Sequence, residues 1–245
     1  MDKRIRNIKD LTVFDVINSN ISNILFAENI GDKEPQWIFL PVSREDYILC
    51  YSRCNEIVNE IKQNYHFKNE KELFAIIYMY VANMNNTVIS DNDALNNLQS
   101  YVKGKNYEQI SRIQGFYNML YGGITACHSR AFMLSNLCSL FNIDAAIING
   151  IHKGNGVNHS WNVVKLDGQW YETDLQWDLK SILKDEFPLN EFLKSHKDFK
   201  HDMFYTSMGS ELEKSCDKSI SKIEQYFLFR NYNTQQSKND ILKNI

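Results

Sequence analysis

The chain has 245 residues, 43% of them apolar and 23% charged, with only 3 Pro and 10 Gly. That composition excludes disorder as the main state and leaves enough chain for one sizeable core. Lys plus Arg number 27 against 30 Asp plus Glu, a net charge of −3, and no basic stripe runs along the chain, so nucleic acid is not an expected partner.

The first ten residues mix Lys3, Arg4, Arg6 and Lys9 with Asp2 and Asp10 and lead into no apolar stretch of secretory length. The longest apolar run, Leu73 to Ala82, includes tyrosines and is too short to span a bilayer. No membrane association is expected, and the location expected is cytoplasmic. Cys50, Cys54, Cys127, Cys138 and Cys216 contain no C-x-x-C pair, which argues against a disulfide framework or a zinc ribbon and for a reducing compartment.

From Ser43 to Tyr65 the apolar residues Tyr47, Cys50, Tyr51, Cys54, Ile57, Val58 and Ile61 recur at three and four residues, and Ser43 with Asp46 reads as a capping box. This predicts an amphipathic helix. The next helix, Lys71 to Met84, is apolar on most sides and so largely buried; the polar stretch Asn85 to Asn97 ends it. Tyr107 to Leu120 reads as a shorter helix stopped by Gly122 and Gly123, and Thr125 is the expected N-cap of a helix from Cys127 to about Phe141. At about 100° per residue, Cys127 shares a face with Ala131, Leu134, Cys138 and Phe141, which turns its sulfur toward the core from the first turn.

After Asn142 the period changes to that of strands. Asp144 to Ile151 is apolar and β-branched, Lys153 to Gly156 is a turn, and Asn158 to Leu166 alternates. Asp167 and Gly168 form a two-residue turn, after which Gln169 to Trp177 alternates again. An antiparallel meander of three strands is expected. Beyond Trp177, Leu189 to Lys194 and Glu211 to Phe229 have helical propensity, and the polar tail from Asn231 is expected to fray.

A tight hairpin at Asp167 and Gly168 sets Trp161 opposite Asp174 and His159 opposite Gln176. His159 and Asp174 then share a face as diagonal neighbours, with α-carbons roughly 7–8 Å apart, a gap that one imidazole–carboxylate hydrogen bond closes. A slip of one residue would put them on opposite faces. Thiol catalysis needs a Cys in an electropositive place, a His within reach and a group fixing the His tautomer. Cys127 in a first helical turn, His159 as base and then acid, and Asp174 as its orienting partner fill those roles.

At these residues the chain resembles the transglutaminase-like superfamily of cysteine enzymes, in particular its bacterial single-domain members. The match runs from about Phe116 to Asp178. It comprises Tyr117, Leu120, Gly122, Gly123 and Cys127, then H-S-W-N-V-V from His159 to Val164, then D-G-Q-W-Y-E-T-D-L-Q-W-D from Asp167 to Asp178. The resemblance implies an α+β fold with a papain-like core: a central helix bearing the nucleophile, packed on an antiparallel sheet that carries His and Asp, with helices added at both ends. Two positions depart from the family pattern, since Ser129 and Arg130 stand where relatives commonly carry a Gly and an aromatic.

The organisation expected is an N-terminal helical extension over 1–100, a catalytic core over 101–180 and a C-terminal helical segment over 181–245, together one structural domain. The function expected is acyl transfer at an amide or peptide bond of a peptide or protein substrate through a thioester, with a hydrolase of the cysteine protease or amidase type preferred. Two alternatives are glutamine-directed transglutaminase cross-linking and a silent binding or scaffold domain that keeps the fold. Trp161, Trp177 and Tyr121 are expected to wall the cleft. The Cys127 N–H is one candidate oxyanion donor, and Tyr121, Asn86 or a Trp side chain the other. His128 and His152 read as surface histidines. Cys50 and Cys54 lie one turn apart without further ligands, so no metal and no cofactor are expected.

Overall fold

The computed structural model describes residues 23–28, 36–84, 117–122, 125–152, 158–199, 203–205 and 215–243. In chain order the elements are β1 (Asn23–Glu28), β2 (Gln36–Ser43), α1 (Arg44–Asn64), α2 (Glu70–Met84), α3 (Tyr117–Tyr121), α4 (Cys127–Leu140), β3 (Ala145–His152), β4 (Asn158–Leu166), β5 (Gln169–Thr173), α5 (Leu175–Ile182), β6 (Met203–Tyr205) and α6 (Lys222–Lys243). The architecture is α+β. The turn at 153–156 and the first part of the helix expected over 107–120 lie outside the described residues.

Asp167 and Gly168 take φ angles of 51° and 82°, the positive values that a two-residue hairpin turn requires to match strand twist. They pair β4 with β5 from Leu166↔Gln169 to Asn162↔Thr173, the register expected from the turn. The third expected strand is cut short, however. It ends at Thr173, because Asp174 caps a helix and Leu175 to Ile182 coil away from the sheet. On the far side β3 pairs antiparallel with β4 and also with β6, so the sheet has four strands in the order β5-β4-β3-β6 rather than three.

The two faces of the sheet do different work. On β4, Val164 and Leu166 enter the main core with α1, α2 and α4, whose buried residues include Ile57, Ile61, Phe74, Tyr78, Met133 and Leu137. Asn162 donates from Nδ2 to the Ala131 carbonyl of α4 at 2.9 Å, fastening helix to strand through a buried polar contact. The alternate positions Trp161 and Val163 join a second cluster with Ile148, Phe199 and Cys216. A strand buried on both faces has to satisfy two layers at once.

The N-terminal part is not purely helical, since β1 and β2 form an antiparallel pair that leads directly into α1. The segment Leu189 to Lys194, expected as helix, is instead irregular and forms a bridge between Lys194 and Glu172. The last helix continues to Lys243 rather than fraying at Asn231. Tertiary contacts hold it: Tyr232 is buried and stacks on Tyr65 with centroids 5.6 Å apart, and the Gln235 amide accepts from the His66 N–H and donates to the His66 carbonyl.

Candidate active site

The site lies where α4, β4 and α5 begin. Cys127 is the first residue of α4 and is half-buried, whereas the other four cysteines are buried. The N-cap is Ala126 rather than Thr125, with extended dihedrals (φ −123°, ψ 177°) and no side-chain capping bond. Thr125 is itself buried, and its hydroxyl has no hydrogen-bond partner among the described residues. Ser129, one of the two departures noted in the sequence, accepts the Ala126 N–H on its Oγ at 3.3 Å and so closes the helix start from inside.

His159 is the second residue of β4 and is 3% exposed. Its Nε2 lies 2.5 Å from Asp174 Oδ2. Cys127 also acts on this ring and raises its pKa, and with Nε2 committed to Asp174, Nδ1 is the nitrogen left for a second partner. Burial works against a charge on this ring. The Asp174 carboxylate and the Cys127 sulfur together outweigh it and hold the imidazole pKa well above the ordinary 6.5. A protonated ring beside a sulfur is the arrangement that favours a thiolate.

Asp174 serves two elements with one carboxylate. Oδ2 meets His159, while Oδ1 accepts the Trp177 N–H at 3.1 Å as the N-cap of α5. The helix start therefore fixes the carboxylate that fixes the histidine. Although Asp174 is no longer on the strand, the hairpin register still delivers it to the His159 side of the sheet.

Of the aromatic residues expected at the cleft, Trp161 and Trp177 flank His159, with ring centroids at 6.0 Å and 5.7 Å. Trp161 is 1% exposed and Trp177 is 37% exposed, so Trp161 supports the ring from the interior and Trp177 faces solvent. Trp177 sits on α5 rather than on a strand. The Tyr121 hydroxyl donates to the Leu49 carbonyl at 3.4 Å and its ring tilts against Tyr117. Asn86 and the His152 side chain lie outside the described residues.

Three residues take places that the sequence reading did not assign to them. Arg130 is 1% exposed and donates from a terminal guanidinium nitrogen to Gln176 Oε1 at 2.5 Å. His128 is half-buried rather than a surface residue; its Nδ1 lies 3.3 Å from Ser160 Oγ, and burial pushes its pKa down to about 4. Asp178 accepts from the N–H groups of Asn190 and Glu191 and from the Tyr78 hydroxyl, and burial pushes its pKa up to about 7. The sequence signals for Arg130 are its departure from the family pattern and its place three residues after Cys127, on the same side of the helix.

Among the described residues no group of three or more His, Cys, Asp or Glu side chains is placed to hold a metal ion, and no helix is long and apolar enough to cross a membrane. No family model matches the chain, and no curated protein matches it. The protein is similar to a solved crystal structure of a TGase, with 17% identity and a TM-score of 0.42, over 55% of this chain and 33% of that one. The chain thus spans about a third of the length of that TGase.

Proposed function

We propose that the protein is a thiol-dependent acyl-transfer enzyme of the transglutaminase-like kind that cleaves amide or peptide bonds by hydrolysis. The observation that carries this reading is a buried imidazole bonded to Asp174, whose positive charge Asp174 and Cys127 both favour. In this reading the Cys127 sulfur attacks the acyl carbon of a peptide or protein substrate, and the oxygen of the tetrahedral adduct takes the negative charge. Cys127 is the first residue of α4, and its N–H, one of the four that a helix start leaves without an intrahelical partner, is the donor to that oxygen in this reading.

Collapse of the adduct breaks the C–N bond, and His159 gives its proton to the departing amine, leaving a thioester. A water then loses a proton to His159 and attacks the thioester. The carboxylic acid departs and the sulfur leaves as thiolate beside the re-protonated ring. Asp174 orients the ring throughout and stabilises its positive charge. An amine in place of water gives cross-linking through the same steps.

The test is competitive alkylation with limiting iodoacetamide at about pH 6, ranking the five cysteines by mass spectrometry in wild type and His159→Ala. An ordinary thiol is under about 1% thiolate at that pH, and burial pushes Cys54 up to about 12. Cys127 is expected to react first and to lose its lead in His159→Ala. Equal labelling of Cys127 and the other thiols in wild type overturns the reading.

A further inference from the structure

Arg130 is among the largest fully buried side chains of the protein, and arginine is almost never buried this deeply unless its charge is answered. It follows Cys127 by three residues on α4, so the two side chains are neighbours on one helical face. Its guanidinium bonds Gln176, which follows Asp174 by two residues in the first turn of α5. Burial pushes the guanidinium down to about 10 while Cys127 and Asp174 pull it back up, so it stays charged at physiological pH, within the field of both.

The charge balance of the site turns on this residue. A thiolate, an imidazolium and a carboxylate sum to one net negative charge in a place where water screens little. A guanidinium offsets that charge, and the buried Asp178 carboxyl near Asp174 adds to what it offsets. Its field favours the thiolate and the carboxylate, the two groups that must stay ionised, and its bond to Gln176 ties the helix that carries Asp174 to the helix that carries Cys127.

We propose that Arg130 is a positioning residue for the reaction, a fixed buried cation that keeps Cys127 and Asp174 ionised and, through Gln176, locks α4 and α5 in register at the site. This inference rests on the thiol-enzyme reading above. A residue at this position that only filled space would leave the ionisation of the site unchanged.

The experiment measures the rate of Cys127 alkylation by iodoacetamide from pH 5 to pH 9 in wild type, Arg130→Gln, Arg130→Lys and Gln176→Ala, with folding checked by near-ultraviolet circular dichroism. Loss of a buried charge at this range is expected to raise the midpoint of the Arg130→Gln profile by about one pH unit. Its rate at pH 6 then falls, by up to about tenfold, while the rate at pH 9 is unchanged. Arg130→Lys keeps the charge and recovers most of the loss, and Gln176→Ala moves the midpoint less, in the same direction.

An Arg130→Gln profile that overlays wild type, or one lowered by the same factor at every pH, overturns the proposal. If Arg130→Gln does not fold, Gln176→Ala decides, an upward midpoint supporting the proposal and an unchanged one overturning it. A wild-type Cys127 with no lead over the other thiols at pH 6 instead overturns the underlying enzyme reading, so the two failures are distinguishable.

Discussion

The indole Nε1 of Trp161 donates to Oε2 of Glu172 across 3.2 Å, and the same indole stacks on His159. Glu172 is fully buried, and its other oxygen lies 2.5 Å from His196 Nδ1. The carboxylate therefore joins the support of the histidine to the segment that runs alongside β5. Removing it takes the acceptor from a buried indole N–H and leaves a void beside it. Glu172→Ala is expected to cost about 2–4 kcal/mol in urea unfolding and to reduce the alkylation lead of Cys127 several-fold. Glu172→Gln keeps an acceptor for Trp161 and is expected to retain most of both.

Asp174 caps α5 and orients His159, and two substitutions separate those duties. Asparagine is as good an N-cap as aspartate but carries no charge, so Asp174→Asn keeps the start of α5 and removes the charge paired with His159. Its turnover of an amide substrate, or failing a substrate its Cys127 alkylation at pH 6, is expected to fall by about 100-fold or more. Asp174→Ala loses the cap as well and is expected to cost about 1 kcal/mol beyond the asparagine variant. Equal stability of the alanine and asparagine variants would show that the cap contributes nothing.

Asp178 makes stability depend on pH in the direction opposite to a salt-bridged carboxylate. Burial raises its pKa from 3.8 to about 7 despite the helpful hydrogen bonds from the Glu191 N–H and the Tyr78 hydroxyl, and the nearby Asp174 and Glu191 charges add to the rise. Between those two values the folded protein binds more protons than the unfolded chain at this group, so its contribution to stability falls as pH rises. The slope it contributes reaches at most about 1.4 kcal/mol per pH unit. Denaturation midpoints measured from pH 4 to pH 8 in wild type and Asp178→Asn should differ by that slope, with the variant flatter across the window. Parallel curves would exclude the effect.

Where local chemistry sufficed, the sequence was legible. Asp167 and Gly168 form a short turn of positive φ, and alternation on either side leaves one register, so turn and alternation place His159 and Asp174 on one side of the sheet. The period of three and four gave α1, α2 and α4, because each has an apolar face to bury. By contrast β5 was read four residues too long, since Leu175, Gln176 and Trp177 continue the alternation and nothing local shows that Asp174 would cap a helix. The tail from Asn231 looked like a fraying end because its polar residues make their bonds to His66 and Asn64, more than 160 positions away.

The sequence by itself therefore determined the α+β class, the hairpin register and the shared side of His159 and Asp174, because turns and periodicity act between near neighbours. Only the tertiary structure decided that Arg130 and Glu172 lie buried around those residues, that β6 completes the sheet and that Asp174 holds a helix as well as a histidine. Each of these depends on a partner distant along the chain. The free energy of burying a charge or extending a sheet is set by what that partner supplies, and no local pattern encodes it.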